Sequence, residues 1–348
     1  MALSAVQETT RLLRAARGQP VDVTPVWFMR QAGRYLPEYR AIRARHTLLE
    51  ICAQPEVAAE VTLQPVTRLG VDAAILFADI LLPLVPMGLA LEFQAGEGPV
   101  IHNPVRGPMD LERLQPVDPR ESLASVLETV RLVRAALSER VPLIGFAGAP
   151  FTMASYAIEG GSSRHFIETK RFMYSHPHAW HQLLSRLADV VTDYLTAQVE
   201  AGAQAIQLFD SWAGALAAEE YREYVLPHSR RILEQIDRLG VPAIHFGVGT
   251  HALLEPMAEA GGDVIGLDWR TPLQEGWRRL GPDAALQGNL DPTILFAPLP
   301  VITRQVRAIL RQAEGHSGYI FNLGHGILPG TPVDSVRAVV DLVHEYSA

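Results

Sequence analysis

The chain has 348 residues, with 30 Lys and Arg against 38 Asp and Glu, which gives a formal net charge of −8. Hydrophobic residues make up 48% and charged residues 20%, proportions that exclude a disordered or fibrous chain. The negative net charge argues against non-specific binding to nucleic acid. We therefore expect a globular protein whose partners do not include nucleic acid.

Two residue types are scarce enough to narrow the chemistry. Cys52 is the single cysteine, so the chain has no internal disulfide and no zinc site built from two thiolates. Lys170 is the single lysine and lies in the polar stretch 168–171, which predicts an exposed helix. A pyridoxal phosphate Schiff base would have to form there. The composition therefore disfavours both kinds of site.

The N-terminal segment and the longest apolar run bear on location. Residues 1–18 alternate apolar and polar side chains like a surface helix, without the apolar core of a secretion signal. The apolar run 73–91 contains Asp79, Pro83 and Pro86, which disfavour a membrane span. We expect a cytoplasmic protein with no membrane association.

Short apolar, β-prone runs recur along the chain, and most are continuous rather than alternating. This pattern is typical of parallel strands that are buried on both faces. The predicted strands are 26–29, 73–77, 143–147, 205–209, 243–246, 264–267, 284–287 and 319–323.

Helical patterns lie between these runs, among them 180–200, 218–239 and 332–346. Strand followed by helix, eight times over, predicts an α/β protein with a (β/α)₈ (TIM) barrel. No linker or low-complexity run divides the sequence, so we expect a single domain over residues 1–348. The intervals after the first two strands are long and predict loops and extra helices over the C-terminal face, where barrels keep their active sites.

Polar residues at the C-terminal ends of the predicted strands are the candidates for an active site. Three of them, Asp210, Asp268 and Asn289, could instead cap the helices that follow. The full set is Arg30, Arg34, Asp79, Tyr156, Asp210, Ser211, His245, Asp268, Asn289 and His325.

The segment 29–46 carries five arginines and one acidic residue, Glu38, in an otherwise acidic protein. It is either a solvated helix face or a site for carboxylates or phosphates, which guanidinium groups bind in pairs of hydrogen bonds. Asp79 is the complementary feature, a carboxylate within the apolar run 75–82. It either pairs with one of these arginines or faces a cationic or NH-rich ligand.

Two further patterns suggest other chemistry, and we favour neither. Gly247 and Gly249, with Asp268 after the next strand, resemble a dinucleotide-binding turn. A tight turn in a barrel would have the same pattern, and four strands precede it. The histidines at 176, 178 and 181 could hold a metal, but they lie at a polar helix start.

Several longer motifs resemble those of the uroporphyrinogen decarboxylase family. PVWFMRQAGRYLPEY at positions 25–39 is similar to the first family signature, and GFAGAPFTMASY at 145–156, followed by Glu159 and Gly160, to the second. Blocks at 77–80, 266–269, 286–292 and 322–327 follow in the family's order, so the resemblance covers nearly the whole chain. Two positions depart from it: Phe151 where the family often has Trp, and Ala78 where it often has Ser.

The resemblance implies a single-domain barrel, usually a homodimer, that acts without a cofactor in haem and tetrapyrrole biosynthesis. The implied reaction converts uroporphyrinogen III to coproporphyrinogen III by removing four acetate carboxyl groups as CO₂. No metal site is implied.

Site residues follow from the same motifs. Arg30, Arg34 and Arg43 would bind substrate carboxylates, helped by the backbone of Gln31, Ala32 and Gly33. Asp79 would gather the pyrrole NH groups and, with Arg30 as a candidate proton donor, carry the catalysis. The remaining cleft residues would be Tyr156, Ser211 and His325.

Two alternatives compete with this interpretation. Zinc-dependent methyltransferases of the same superfamily are expected to use a His-x-Cys motif and a further Cys, which a chain with Cys52 alone does not have. A non-enzymatic tetrapyrrole carrier would need the basic segment but not Asp79.

Overall fold

The computed structural model describes residues 10–94 and 98–348. Its main parallel strands are β1 (Ala74–Ile75), β4 (Leu143–Gly148), β5 (Ala205–Asp210), β6 (Ala243–Gly247), β7 (Val264–Gly266), β8 (Ala285–Leu290) and β9 (Tyr319–Leu323). They form one sheet in the order β1-β4-β5-β6-β7-β8-β9. The ends of these strands differ from the predicted ones by no more than one to three residues, which confirms seven of the eight predictions.

The first predicted strand, 26–29, is reduced to a single bridge that closes the sheet. Val26 pairs in parallel with Phe321 of β9, and the N–H of Asp72, just before β1, donates to the Val26 carbonyl at 2.8 Å. The strand pairing does not extend further because side-chain oxygens occupy the backbone N–H groups of this segment. Asp72 Oδ2 accepts from Val26 N–H, and Gln31 Oε1 accepts from Phe28 N–H. The chain is therefore a (β/α)₈ barrel, as predicted.

Helices connect the strands and surround the barrel. They are α1 (Arg11–Ala16), α2 (Pro37–Arg43), α3 (Leu48–Cys52), α4 (Pro55–Leu69), α5 (Pro119–Ser122), α6 (Ala124–Ala136), α7 (Pro150–Glu159), α8 (Ile167–Ser175), α9 (Pro177–Ala201), α10 (Ala218–Tyr224), α11 (Leu226–Arg238), α12 (Leu254–Ala260), α13 (Leu273–Leu280), α14 (Leu299–Ala313) and α15 (Val333–Ser347). The predicted helices 180–200 and 332–346 correspond to α9 and α15. Of the predicted N-terminal helix, residues 1–9 lie outside the described part.

The prediction of one helix over 218–239 is wrong. The structure divides this stretch into α10 and α11 at Val225, whose backbone leaves the helical conformation. Pro227 explains the break, because proline has no N–H to donate and its ring clashes with the carbonyl four residues earlier. Proline fits the first turn of a new helix, which is where α11 places it.

The long interval after β1 contains a β-hairpin that the sequence did not predict. Strands β2 (Leu91–Gln94) and β3 (Gly98–Ile101) pair antiparallel. Ile101 N–H donates to the carbonyl of Gly160, directly after α7, at 2.8 Å. The hairpin is therefore fixed to the helix that carries Tyr156.

The hydrophobic side chains of the barrel and of its helices belong to one connected cluster. Cys52 is part of it and is buried, as predicted. A chain of polar side chains crosses the barrel interior: Trp27 Nε1 donates to Gln287 Oε1 at 2.9 Å, and Gln287 Nε2 donates to Gln207 Oε1 at 3.0 Å. These bonds tie the first, seventh and fourth predicted strands together below the strand ends.

Over the described ranges, no helix combines the length and the apolar composition that a membrane crossing requires.

Candidate active site

A cavity of about 200 Å³ opens at the C-terminal ends of the strands. Its walls combine strand ends with the segments that follow them, so residues distant in the chain meet there. Most of the predicted site residues line it, namely Arg30, Ala32, Gly33, Arg34, Asp79, Ser211 and His325. Gln31, Arg43 and Tyr156 lie just outside the lining.

The loop that carries the two arginines has an unusual backbone. Arg30 and Arg34 have φ values of 60° and 25°, in the left-handed region that residues other than glycine seldom adopt. Such strain costs about 1–3 kcal/mol and is found mainly at functional sites. Gln31 supports the loop from below: its buried side chain accepts from Phe28 N–H and donates to the Ala73 carbonyl, both at 2.9 Å.

The guanidinium groups of Arg30 and Arg34 make no hydrogen bond or ion pair with any residue of 10–94 or 98–348. Burial lowers the pKa of Arg34, and the neighbouring charge of Arg30 lowers it further. Two like charges left without partners at a cavity edge favour an anionic ligand, which would relieve their repulsion.

Asp79 places a carboxylate in the same cavity. Its Oδ1 accepts from Leu81 N–H at 2.9 Å, which fixes the side chain in a tight turn. Burial raises the pKa of Asp79, while this bond and the charges of Arg30 and Arg34 act in the opposite direction. No ion pair within 4.0 Å joins Asp79 to another described residue, so the alternative of a structural Asp–Arg pair is not observed.

Tyr156 on α7 lies beside the cavity and stacks on Trp212, with ring centroids 3.8 Å apart. Burial raises the pKa of Tyr156 to about 12, and the Asp79 charge adds to this shift. Thr152, one turn earlier on α7, accepts from Trp212 N–H at 3.2 Å and donates to the buried Asp210 at 2.9 Å. Asp210 therefore joins the first turn of α7 to the aromatic wall, and it does not cap the helical turn that follows β5.

His325 follows β9 and lines the same cavity as Arg30 and Arg34. Burial lowers its pKa to about 4, and the charges of Arg30, Arg34 and Arg270 contribute in the same direction. His325 is therefore a neutral imidazole at pH 7, able to donate one hydrogen bond and accept another. Ser211, directly after β5, adds a hydroxyl to the same lining.

Arg43 does not line the cavity. Its Nη1 donates to the His46 carbonyl at 2.7 Å, at the C-terminal end of α2. It acts on Tyr39, whose ring does line the cavity: burial raises the pKa of Tyr39, and Arg43 opposes that shift.

Three other strand-end residues point elsewhere. His245 is fully buried, and its Nδ1 lies 3.3 Å from the Met257 carbonyl of α12. Asp268 accepts from the N–H groups of Gly249 and Arg270 and from the Arg270 guanidinium. Asn289 Nδ2 donates to the Asp268 and Thr271 carbonyls. These bonds fit the alternative that Asp268 and Asn289 are structural, but both residues tie strand-end loops together and do not cap the next helices.

The two patterns that suggested other chemistry have structural explanations. In the glycine turn, the N–H of Gly249 donates to the Asp268 carboxylate, so a protein side chain already occupies this donor. His181 contacts His228 at 3.0 Å, and His178 contacts Gln182. Within the ranges that the structure describes, no group of three or more His, Cys, Asp or Glu residues could hold a metal ion.

The sequence did not reveal the aromatic residues of the cavity. Tyr39, Phe77, Phe146 and Phe209 line it, and Phe146 meets Phe209 edge to face at 5.6 Å. Selecting only polar residues excluded them. Phe77, Phe146 and Phe209 lie in or just after strands, where inward-facing side chains form the floor of a barrel site, and this position is the signal that would have found them. Tyr39 lies on α2 and carries no such signal.

A (β/α)₈ barrel with paired arginines, a carboxylate and an aromatic floor at its C-terminal face defines a barrel enzyme for an anionic, partly apolar substrate. The sequence profile described as uroporphyrinogen decarboxylase (URO-D) matches residues 7–346. The chain belongs to the uroporphyrinogen decarboxylase family.

Individual relatives agree with this assignment. A protein named uroporphyrinogen decarboxylase from Sorangium cellulosum is 61% identical over 334 residues, covering 96% of this chain and 95% of that protein. One of the same name from Thermus thermophilus is 56% identical over 337 residues, covering 97% and 98%. A solved methyltransferase from Methanosarcina mazei has a TM-score of 0.83 and 22% identity, covering 98% of this chain and 99% of that one. At that identity the likeness shows the fold alone.

Proposed function

We propose that this chain converts uroporphyrinogen III to coproporphyrinogen III, removing four acetate carboxyl groups as CO₂ in tetrapyrrole biosynthesis. The observation that carries the proposal is the shared cavity of Asp79, Arg30 and Arg34 at the strand ends, where a carboxylate meets two guanidinium groups that have no partner within residues 10–94 and 98–348. Full-length relatives at 56–61% identity that bear the decarboxylase name support the choice of substrate.

The substrate is an octa-anion, and the loop after the first strand is suited to its carboxylates. Arg30 and Arg34 line the cavity without a partner among the described residues, so their guanidinium groups are free to form paired hydrogen bonds. The backbone N–H groups of Ala32, Gly33 and Arg34 have no acceptor among the described residues, and adjacent N–H groups of this kind bind anions. Gln31 contributes by holding the loop in place. Arg43 contributes indirectly, through its electrostatic effect on Tyr39 in the cavity lining.

The reaction needs somewhere for the electron pair of the breaking C–C bond to go. Protonation of a pyrrole ring carbon makes the ring a cationic electron sink. When the acetate carboxylate then leaves as CO₂, the pair neutralises the ring. The remaining methylene carbon takes up a proton and the ring loses one, so an acetate becomes a methyl group with net uptake of one proton. No cofactor is required for this series of steps.

We assign the stabilisation of the ring cation to Asp79, which would also accept the pyrrole NH hydrogen bonds. Unit charges about 4 Å apart, at an effective dielectric constant of about 20, attract by about 4 kcal/mol. If that attraction exists only in the transition state, it is worth about three orders of magnitude in rate. We assign delivery of the proton to Arg30, directly or through a water, and the cleft wall to Tyr156, Ser211 and His325.

The methyltransferase alternative lacks its ligands, because Cys52 is the only cysteine in the sequence, is buried and does not line the cavity. A carrier would bind the tetrapyrrole but would have no use for a carboxylate in its cavity. The decisive experiment is to incubate the purified chain with enzymatically generated uroporphyrinogen III and to measure CO₂ and the porphyrin products. Binding without CO₂ release would establish a carrier and overturn the proposal.

Chelation provides a second test. We expect the rate of CO₂ release to stay unchanged after exhaustive treatment with EDTA and dialysis, without any added coenzyme. The single buried cysteine and the chemistry of the pyrrole sink motivate this expectation. A rate that falls on chelation and returns with Zn²⁺ would contradict it and restore the methyltransferase alternative.

We also propose that the chain is a single domain over residues 1–348 and a homodimer in solution. The connected hydrophobic core supports the first proposal, and family resemblance supports the second. Light scattering at micromolar concentration should give about twice the chain mass of 38.2 kDa. A mass equal to that of one chain would refute the dimer.

A further inference from the structure

The segment that follows β9 lies directly against Arg30. Asn322 Oδ1 accepts from Met29 N–H at 3.1 Å, and Ile327 N–H donates to the Met29 carbonyl at 2.9 Å. Both backbone polar groups of the residue before Arg30 are therefore bonded to segment 322–327. Arg30 leaves this clamp with its strained, positive φ of 60°.

Gly326, inside the clamp, provides the space for the Arg30 side chain. A Cβ atom on Gly326 would lie 2.5 Å from Arg30 Cδ, 2.7 Å from Cγ and 3.1 Å from Nε. These are the three nearest atoms to that position, and the first two distances are shorter than real Cβ contacts. Cγ and Cδ belong to the stem of the side chain, so a methyl group there forces the whole guanidinium to move.

The backbone at Gly326 does not itself require glycine. Its φ is outside the positive range that other residues avoid, unlike that of Gly33 or Gly330. The space taken by Arg30 is therefore the structural reason for a glycine at this position. The Arg30 guanidinium has no hydrogen-bond or ion-pair partner among the described residues, so contacts along its stem fix its direction.

We propose that Gly326 is a positioning residue that sets the direction of Arg30, with the Met29 clamp of Asn322 and Ile327 as its support. Arg30 then meets the substrate already oriented, without the entropy cost of ordering a long side chain at the moment of binding. This inference rests on the proposed function for its activity readout, but the contact between Gly326 and Arg30 can also be tested by binding.

The test is a double-mutant cycle of Gly326→Ala and Arg30→Ala. In the wild-type background, Gly326→Ala should lower kcat/KM by about 10- to 100-fold, since displacing a reacting group by about 1 Å costs about that much. In the Arg30→Ala background the same change should alter kcat/KM by less than about twofold. Gly107→Ala is the matched control, because its backbone is extended and a Cβ there meets nothing within 4 Å.

Two further measurements keep the cycle decisive. If Gly326→Ala destabilises the fold through the collision, the melting temperature should recover in the double variant, where the colliding side chain is gone. The dissociation constant for uroporphyrin, from fluorescence quenching, should follow the same non-additive pattern. If the wild type binds but releases no CO₂, the proposed function fails while the binding cycle still tests Gly326.

Equal losses from Gly326→Ala in both backgrounds would overturn the inference, because Gly326 would then act through something other than Arg30. Full wild-type activity of Gly326→Ala, with unchanged uroporphyrin binding, would overturn it as well, because Arg30 would then have room to move without consequence.

Discussion

Replacing Asp79 by asparagine is expected to lower kcat by about a hundred- to a thousandfold, the usual effect of removing a group that stabilises transition-state charge. The change keeps the volume of the side chain, and its amide oxygen can still accept from Leu81 N–H, as Asp79 Oδ1 does at 2.9 Å. Only the negative charge that faces the ring cation is lost. Binding of the substrate should weaken much less than kcat falls.

The pH dependence of the wild type should identify the same group. Burial raises the pKa of Asp79, so the carboxylate takes up its proton at a higher pH than an exposed aspartate does. Activity should therefore fall on the acid side at a pH above the ordinary range of aspartate. The Asp79→Asn variant should lack that acid limb, which a merely structural defect would not produce.

Stability should move in the opposite direction to activity. A raised pKa means that the folded state binds the proton more tightly than the unfolded state, so the ionised carboxylate costs stability at neutral pH. The Asp79→Asn variant should therefore melt at the same temperature as the wild type or higher. This combination of lost activity and retained stability is typical of a residue kept for function.

Asp118→Asn is the matched control, because Asp118 makes the same turn, accepting from Arg120 N–H at 2.9 Å, on the exposed surface. Its activity should equal that of the wild type. Near-normal turnover by Asp79→Asn would remove the electrostatic role from Asp79. The proton donor and the arginines would then have to account for the rate.

The strands and their order were predictable because continuous apolar runs admit few alternatives to buried parallel strands. Asp79 and the arginines were predictable for a related reason: a carboxylate in an apolar run and a basic segment in an acidic chain both conflict with the local pattern, and such conflicts mark functional sites. The hairpin of β2 and β3 was not predictable, because each strand has only four residues and β3 begins with Gly98 and Pro99. Strands this short carry almost no periodicity.

Other features depend on three-dimensional contacts between residues, which sequence patterns do not reveal. Stacking of Tyr156 on Trp212 joins two residues that are far apart in the chain. Gln31 proved to be a loop support because its amide happens to lie between Phe28 and Ala73. Gly326 matters because atoms of Arg30 occupy the space in which a side chain at position 326 would lie. This is known only once the position of Arg30 is known.

Replacing Arg34 by lysine is expected to lower kcat/KM by about 10- to 100-fold even though the charge is kept. The Arg34 guanidinium has no partner in the described part of the chain, and Arg34 lines the cavity together with Ala32 and Gly33. A guanidinium binds a planar carboxylate through two parallel hydrogen bonds and so fixes both its position and its angle, whereas an ammonium supplies charge alone.

The alternative is that Arg34 only attracts the octa-anion to the cavity. Attraction of that kind acts at long range and is screened beyond about 8 Å at physiological ionic strength, so it depends strongly on salt and little on the choice of Arg or Lys. The two roles therefore differ in what they respond to: carboxylate orientation responds to the shape of the cation, and steering responds to the ionic strength.

The measurement that separates them is kcat/KM for the wild type, Arg34→Lys and Arg34→Ala at low and high salt. Arg40→Lys serves as the control, because Arg40 is an exposed arginine of the same basic segment that does not line the cavity. For an orienting role, Arg34→Lys should resemble Arg34→Ala at both salt concentrations while Arg40→Lys resembles the wild type. If Arg34→Lys instead follows the wild type and salt weakens both equally, Arg34 is a steering charge. Orientation of the substrate above Asp79 must then come from Arg30 and the loop backbone.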